Sequence, residues 1–595
     1  MSNTCRIPWT FAFQYSIIPS KFYVWGPFME QLNVITKRVD VLPMVKYYID
    51  QLGIYGLFSK YVKKPERSPV DPAQILSVMV ANIVCASQPL YKVEQWAADY
   101  MDGLSEYGLN ASVYNDDQIA KNLDRLFNAD RNSFMSELTA NAIAVYLLET
   151  KQIHNDSTSV TFTGAYENQH PKAVELKHGF NKDHRPDCKQ IVFGLNITAD
   201  GNVPLSFELF DGNRTDDTTH VPNWNALREF LGESDFIYIA DCKLCSQKNL
   251  DHIHENGGVF ITIVPKNRSE VKQFYEFLKT NPIEWQYAYE TPNSRKKSET
   301  IIYKTFEGEP SKNGYRIIWV HSSAKEKQDE SRRENRIAKA DLQLTELSPR
   351  LNQYNLKTKE KIEEAIKKAT KGASDLFQIQ LIEDKQIVQR QIGPGKPGPN
   401  TRYKEEENIS YRLEWELDHQ AIKDLASRDG IFPLITNADI DAAEVLKAYK
   451  NQPYLEKRMY TAKSILKVAP VFLKKTDRVE AMTFLYFIAL MIVSLMERNI
   501  RKNMAEQEVE KLPILPNGMN TKKPTWNNLN YFFKNVHLSM VEKQDKIIQT
   551  VTKGVTRLHE IVLKLLGVPP SVYAAIQDRW WLFKNLDLPQ NLDST

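Results

Sequence analysis

From about residue 29 to 150, apolar residues recur at helical spacing, and beyond about residue 150 the period changes to two. Asp71 and Pro72 open the run AQILSVMVANIVCA, Tyr91 to Tyr100 is a further amphipathic stretch, and Asn115 is placed to cap DDQIAKNLDRLF. The first region is therefore predicted to be all helical. Strands are predicted at SVTFTG, QIVFGLNIT, VPLSFELF, FIYIAD and VFITIVP, with a helix, VPNWNALREFLG, between the third and the fourth. Turn signals at Asp200-Gly201 and Asp211-Gly212-Asn213 separate them. Short strands follow at WQYAYE, ETIIYKTF and YRIIWVH, and then a charged stretch, Ala324 to Lys371, predicted to be a helical hairpin or coiled coil. The loop GPGKPGPN excludes regular structure, and GIFPLITN reads as a buried strand. The apolar run from Ala481 to Met496, closed by Glu480 and Glu497, is shorter than the roughly 20 residues of a membrane span and reads as a central core helix.

These elements predict a multidomain α/β protein. Residues 1–28 form an irregular extension, 29–150 a helical module, 151–265 and 430–504 two parts of one mixed-sheet core, 266–429 an inserted α+β domain with long charged helices, and 505–595 a helical region with a polar tail. Three strands, a helix and further strands, with one acid on the first strand and another at the fourth, resemble the order of a ribonuclease H-like sheet.

Composition narrows the class without naming a chemistry. At 595 residues the chain exceeds the size at which single cores stop growing, which predicts about three or four folding units. A composition of 42% hydrophobic and 25% charged residues is that of a globular protein, neither disordered nor membrane-embedded. The 77 basic and 74 acidic residues nearly cancel, so a nucleic-acid surface has to come from local segregation of charge. Five cysteines are too few for a disulfide framework and fit a reducing compartment. With no charged segment leading into a long apolar one at the N-terminus, a cytoplasmic location is expected.

Asp156, Asp241 and Glu456 are acids in awkward settings. Asp156 is expected to open the strand from Ser157 to Phe162, Asp241 ends the apolar run Phe236 to Ala240, and Glu456 lies in the helical stretch YKNQPYLEKRMYTAK. Burying a lone carboxylate costs several kcal/mol, so such positions call for a cation or a partner. Three converging carboxylates would form a hard-oxygen site for Mg²⁺ or Mn²⁺. Singly, each also reads as a cap, a turn residue or an exposed helix acid. On one continuous helix, the spacing Tyr449-x2-Gln452-x3-Glu456-x6-Lys463 sets a phenol, an amide, a carboxylate and an ammonium along one face. Cys242 and Cys245 form a CxxC that His252 and His254 could complete as a zinc site on paper.

Six segments in order, HNDSTSV, HGFNKDHRPDCKQ, FDGNRTD, IADCKL, DGIFPLITN and YKNQPYLEKRMYTAK, resemble the DDE transposases of bacterial insertion sequences, in particular the group with a Y-x2-R-x3-E-x6-K signature. The resemblance runs from about residue 60 to 500. It implies a ribonuclease H-like core interrupted before its third acid. It also implies a catalytic and metal-binding triad of Asp156, Asp241 and Glu456 holding two Mg²⁺ (or Mn²⁺) ions, and DNA contacts through Tyr449 and Lys463. Gln452 stands where the signature has Arg, so charge at that step falls to Lys457 and Arg458. Lys182, Arg185 and Lys189, on the loop entering the second strand, are further expected phosphate contacts. Trp285 and Trp415 are either core residues or platforms for an extruded base.

The activity implied is metal-dependent cleavage at the terminal inverted repeats of double-stranded DNA and joining of the 3′-hydroxyls to target DNA. Residues 29–150 would bind the ends, and a homodimer, with residues 505–595 contributing, would hold two of them. The alternatives are a ribonuclease H-like nuclease without strand transfer and an inactive DNA-binding descendant; the presence of all three acids speaks against the latter.

Overall fold

The structure, a computed structural model, describes residues 32–574 except 67, 69, 101–110, 168, 180–184, 294–295, 297, 466–472 and 544–545. The chain divides into two compact units, one made of residues up to Thr215 together with those from Pro453 onward, the other of Asp216–Gln452.

The first unit is built on one long helix, Thr476–Glu506, of 31 residues. By length and composition it could cross a membrane, yet 94% of its apolar window is buried inside the protein. The helices Pro72–Cys85, Asp116–Phe127 and Arg131–Tyr146 share its core. Two begin where their caps predict: the Asp71 carboxylate accepts the Ala73 N–H at 2.9 Å, and Asn115 Oδ1 accepts the Gln118 N–H at 3.0 Å. The central helix does not stop at Glu480 and Glu497, contrary to the pattern of its apolar run. Both glutamates lie inside the helix and are buried, because each has a cation waiting: Arg131 Nη1 at 2.9 Å from Glu480 and Arg458 Nη1 at 2.7 Å from Glu497.

Arg478, in the first turns of this helix, makes a two-pronged bond to Asp124, Nε to Oδ1 at 2.6 Å and Nη2 to Oδ2 at 2.7 Å. That bond holds the Asp124 carboxyl below its ordinary range. A depressed carboxyl stabilises the fold above its unfolded pKa, and the contribution is lost as pH falls through the folded value. Stability is thus expected to fall in the acid range below the ordinary Asp value, and Asp124→Asn to flatten part of that slope. Both groups are partly exposed, so the difference is about 1 kcal/mol or less, measurable by denaturant unfolding at a series of pH values.

Against the helices lies an antiparallel meander of β1 (Gln152–Phe162), β2 (Lys189–Thr198) and β3 (Pro204–Asp211), with β2 in the middle. A polar ladder pins its register: Asn155 Nδ2 donates to Asn196 Oδ1 at 2.8 Å, and Asn196 Nδ2 to Ser206 Oγ at 2.8 Å. β1 begins at Gln152, so Asp156 is its fifth residue and not its opening one, because His154 and Asn155 already lie in the pleat. Where β3 ends, a Cβ on Gly212 would meet Gln190 O at 2.0 Å and Lys177 O at 2.5 Å, and one on Gly179 would meet Gly212 O at 2.1 Å. Backbone cannot yield as a side-chain tip does. Gly212→Ala is expected to destabilise the protein by about 2–3 kcal/mol, seen as a lower denaturation midpoint. Elsewhere in this unit, the strand Leu32–Arg38 pairs antiparallel with His537–Lys543, which pairs in turn with Lys546–Lys553.

The second unit carries a six-stranded mixed sheet of β4 (Ile237–Ala240), β5 (Val259–Ile263), β6 (Gln286–Pro292), β7 (Thr300–Glu307), β8 (Arg316–Ser322) and β9 (Ile431–Thr436). Its order is β4-β5-β9-β8-β7-β6, with β4 and β5 parallel and every other neighbour antiparallel. The charged stretch after β8 folds as two helices, Ser323–Leu347 and Lys359–Ala369. They pack through Ala340, Leu344, Leu347 and Ile362 against Phe377 and Leu413 of a long hairpin, Phe377–Gln391 with Tyr403–Leu417. GPGKPGPN lies in the loop of that hairpin.

Candidate active site

In the first unit, β1 sets Asp156, Thr158 and Val160 on one face by strand alternation. Asp156 is half-buried, and its Oδ1 accepts the Ser157 N–H at 2.7 Å. Thr158 and Val160 line a small crevice with Met459, Ala462 and Lys463, so the segment following Glu456 lies along the strand face that carries Asp156.

That segment is not one helix. The helix Ala442–Tyr449 ends, Lys450 and Asn451 turn, a second helix spans Gln452–Tyr460, and a single π turn, Thr461–Ile465, carries Lys463. Pro453 explains the break, since proline has no N–H with which to continue the preceding helix and is at home in the first turn of a new one. The spacing from Tyr449 to Lys463 therefore does not define one helical face. Tyr449 packs against the apolar core of the second unit, and Gln452 is buried. Glu456 is exposed and has no hydrogen bond or ion pair among the described residues. Lys457 beside it is exposed too, its ammonium 4.7 Å from the centre of the Tyr454 ring.

Arg458 turns the other way. It is 4% exposed, with Nη1 on Glu497, Nε donating to Asn202 O at 2.9 Å and Nη2 to Gly201 O at 3.0 Å. Burial pulls its guanidinium below the ordinary arginine value, against the opposing charge of Glu497. Its part is structural, in place of the phosphate contact expected from sequence, because two residues past Glu456 the helix presents its inner face. Arg185 and Lys189 are likewise engaged: Arg185 forks onto Asp187 at 2.9 and 2.8 Å, and Lys189 Nζ donates to the Ala165 carbonyl. Lys182 lies outside the described residues.

In the second unit, Asp241 directly follows β4, at the carboxyl end of the parallel pair β4 and β5, where open α/β sheets bind ligands. Its Oδ1 accepts the Lys243 N–H at 2.9 Å, and its carbonyl accepts from Thr262 Oγ1 at 2.7 Å. Cys245 is buried and its thiol is pushed up to about 11 by that burial, while His252 bonds Asn225 and His254 bonds Asn437. The pair therefore disfavours the thiolate that zinc requires. Trp415 donates to Asp341 at 2.8 Å within the helical packing, and Trp285 lies against Phe306 and His321, so both act as packing residues. No motif or spacing points to Lys450, whose ammonium sits 4.8 Å from the Tyr303 ring centre and 4.9 Å from that of Phe432. Burial, reinforced by Lys325, holds it below the ordinary lysine range.

The donor chemistry suits a hard divalent cation: three carboxylates, of which Asp241 and Glu456 have no salt bridge among the described residues. They are divided, with Asp156 and Glu456 in the first unit and Asp241 in the second. Within neither unit do three His, Cys, Asp or Glu side chains gather as a metal site among the described residues.

Residues 34–140 match a family described as a domain of unknown function, DUF4277. No curated protein matches the chain. Among solved structures it is similar to a piggyBac transposase synaptic complex with hairpin DNA, at 9% identity over 93% of this chain and 86% of that one, with a TM-score of 0.35. A Mos1 transposase paired-end complex with the left transposon end aligns at 10% identity over 33% of this chain and 60% of that one, with a TM-score of 0.13. Neither score is high enough to define a common fold.

Proposed function

We propose that the chain is a DDE-type DNA transposase with a ribonuclease H-like core, cutting the ends of a mobile DNA element and joining their 3′-hydroxyls to target DNA. What supports this reading most is the ordered series of six segments that ends at Glu456, an exposed carboxylate with no hydrogen bond or ion pair among the described residues, on a helix whose continuation lies along the strand face of Asp156. Asp156, Asp241 and Glu456 would hold two Mg²⁺ or Mn²⁺ ions. When bound, such ions activate a water or 3′-hydroxyl and stabilise the leaving oxygen of an in-line phosphodiester displacement.

The chain's own side chains supply the rest. Lys457, next to Glu456, and Lys474 and Lys475, just ahead of the central helix, are exposed cations available to DNA phosphates. Asp241 offers its carboxylate at a strand end, where substrate can approach. Two ends need two active sites, so a homodimer assembles on paired ends, in the cytoplasm of a bacterium.

The DNA flanking the gene provides the test. Fragments bearing inverted repeats from either side are incubated with the protein and Mg²⁺, and cleavage at the repeat boundary and joining of pre-cut ends to a plasmid are measured. Cleavage without joining would reduce the reading to a nuclease; neither activity, with the protein folded, would sink it.

A further inference from the structure

The second unit contains a cavity of about 340 Å³, near the lower end of the roughly 300–1,000 Å³ of small-ligand sites, in which positive charge is not balanced. Its main wall is one face of the helix Ser323–Leu347, where Lys325, Arg332, Arg333 and Arg336 recur at helical spacing, and Lys266 and Arg428 add two more cations. Only two carboxylates, Asp329 and Asp429, line the same space. Each already has a partner: Asp429 takes Arg333 Nη1 at 2.5 Å, and Asp329 takes Lys325 and the Gly430 N–H. Arg336 reaches outward to Asp375 at 3.9 Å.

Lys266, Arg332 and Arg428 remain, and the side chain of none of them has a hydrogen bond or salt bridge among the described residues. Arg428 is the most telling. It is half-buried, its guanidinium carbon lies 5.0 Å from the Tyr275 ring centre, and its Nε is shut off from solvent without an acceptor. Like charges crowded around a concavity raise one another's free energy, and a planar guanidinium held against an aromatic ring keeps its outer nitrogens aligned for a forked acceptor. Among the described residues no carboxylate occupies those outer positions, and phosphate oxygens fit the same fork.

We propose that this cavity is a binding site for linked phosphates, in which Lys266, Arg332 and Arg428 take the anionic oxygens while the Arg333–Asp429 and Lys325–Asp329 pairs fix the wall. The phosphates belong either to a nucleic-acid strand or to a free polyphosphate such as a nucleoside triphosphate tail. The site is independent of whether the chain cuts DNA.

The test uses the full chain without divalent metal, so that no cleavage intervenes. Lys266→Ala/Arg332→Ala is compared with Lys367→Ala/Lys368→Ala, which removes the same charge from exposed positions of the helix Lys359–Ala369. Affinity for a labelled DNA duplex is measured against salt concentration, and tripolyphosphate binding is measured by calorimetry. With melting temperature retained, the cavity variant is expected to lower the magnitude of the duplex salt slope by about 2, one for each lost phosphate contact, with the control unchanged. Loss confined to tripolyphosphate would assign the site to a free ligand. Unchanged binding of both probes, or an equal loss in the control, would overturn the proposal.

Discussion

Asp156→Asn is expected to abolish DNA cleavage, by on the order of 10³-fold or more, while DNA affinity and melting temperature stay close to those of the parent. An amide keeps the shape of the carboxylate and can still accept the Ser157 N–H, which now lies 2.7 Å from Oδ1, so the strand is not disturbed. What it removes is the charge that a divalent ion needs, and several kcal/mol of transition-state stabilisation amount to this rate factor. Glu456→Gln is the sharper companion, since Glu456 is exposed and its carboxylate has no partner among the described residues for the substitution to leave unpaired. The comparison is made on DNA carrying the element's ends, with Mg²⁺ and with Mn²⁺. Cleavage at the parent rate by either variant would remove that residue from the proposed metal triad.

Arg458→Ala produces the largest expected loss of stability, about 3–5 kcal/mol in denaturant unfolding. The guanidinium joins four pieces of chain: its own helix, the turn at Gly201 and Asn202, and, through Glu497, the central helix and the start of the helix Trp526–Phe532, whose Trp526 N–H is 2.8 Å from Glu497 Oε1. Alanine leaves Glu497, 7% exposed, with the Trp526 N–H and a single, longer ion pair to Arg501 at 3.2 Å among the described residues. Lysine is expected to recover a minor part, because an ammonium cannot bond two carbonyls and a carboxylate in one plane. Arg458→Met with Glu497→Gln is expected to recover more, as glutamine can still accept the Trp526 N–H. A loss below about 1 kcal/mol for Arg458→Ala would contradict a buried pair that organises this unit.

Much of the scaffold is legible in the sequence. The Asp71 and Asn115 caps, the strand ending at Ala240 and the six-residue buried strand β9 all follow from local rules, because neighbouring residues determine them. The buried positions of Glu480, Glu497 and Arg458 escape sequence reasoning for a common reason. Each is a charged residue whose burial depends on a partner remote in the chain, and no periodicity reveals that partner. The Tyr449 to Lys463 face failed locally instead: the turn at Lys450 and Asn451 and the π turn at Thr461 shift the phase of a spacing that assumes one continuous helix. The basic cavity was missed because its cations come from three separate segments of a chain whose overall charge nearly cancels.

The strand Leu32–Arg38 finds its neighbour only at His537–Lys543, and the Tyr48 hydroxyl finds its acceptor at Leu566 O, 2.6 Å away. A ribosome therefore releases the helical region well before it can be covered, and makes all of Asp216–Gln452 in the interval. At roughly 5–20 residues per second, that interval is on the order of ten seconds or longer. The segment 34–140 spends it with apolar faces that its late partners have yet to cover, and a chain cut short by an early stop codon is expected to be an aggregation hazard instead of a smaller working part.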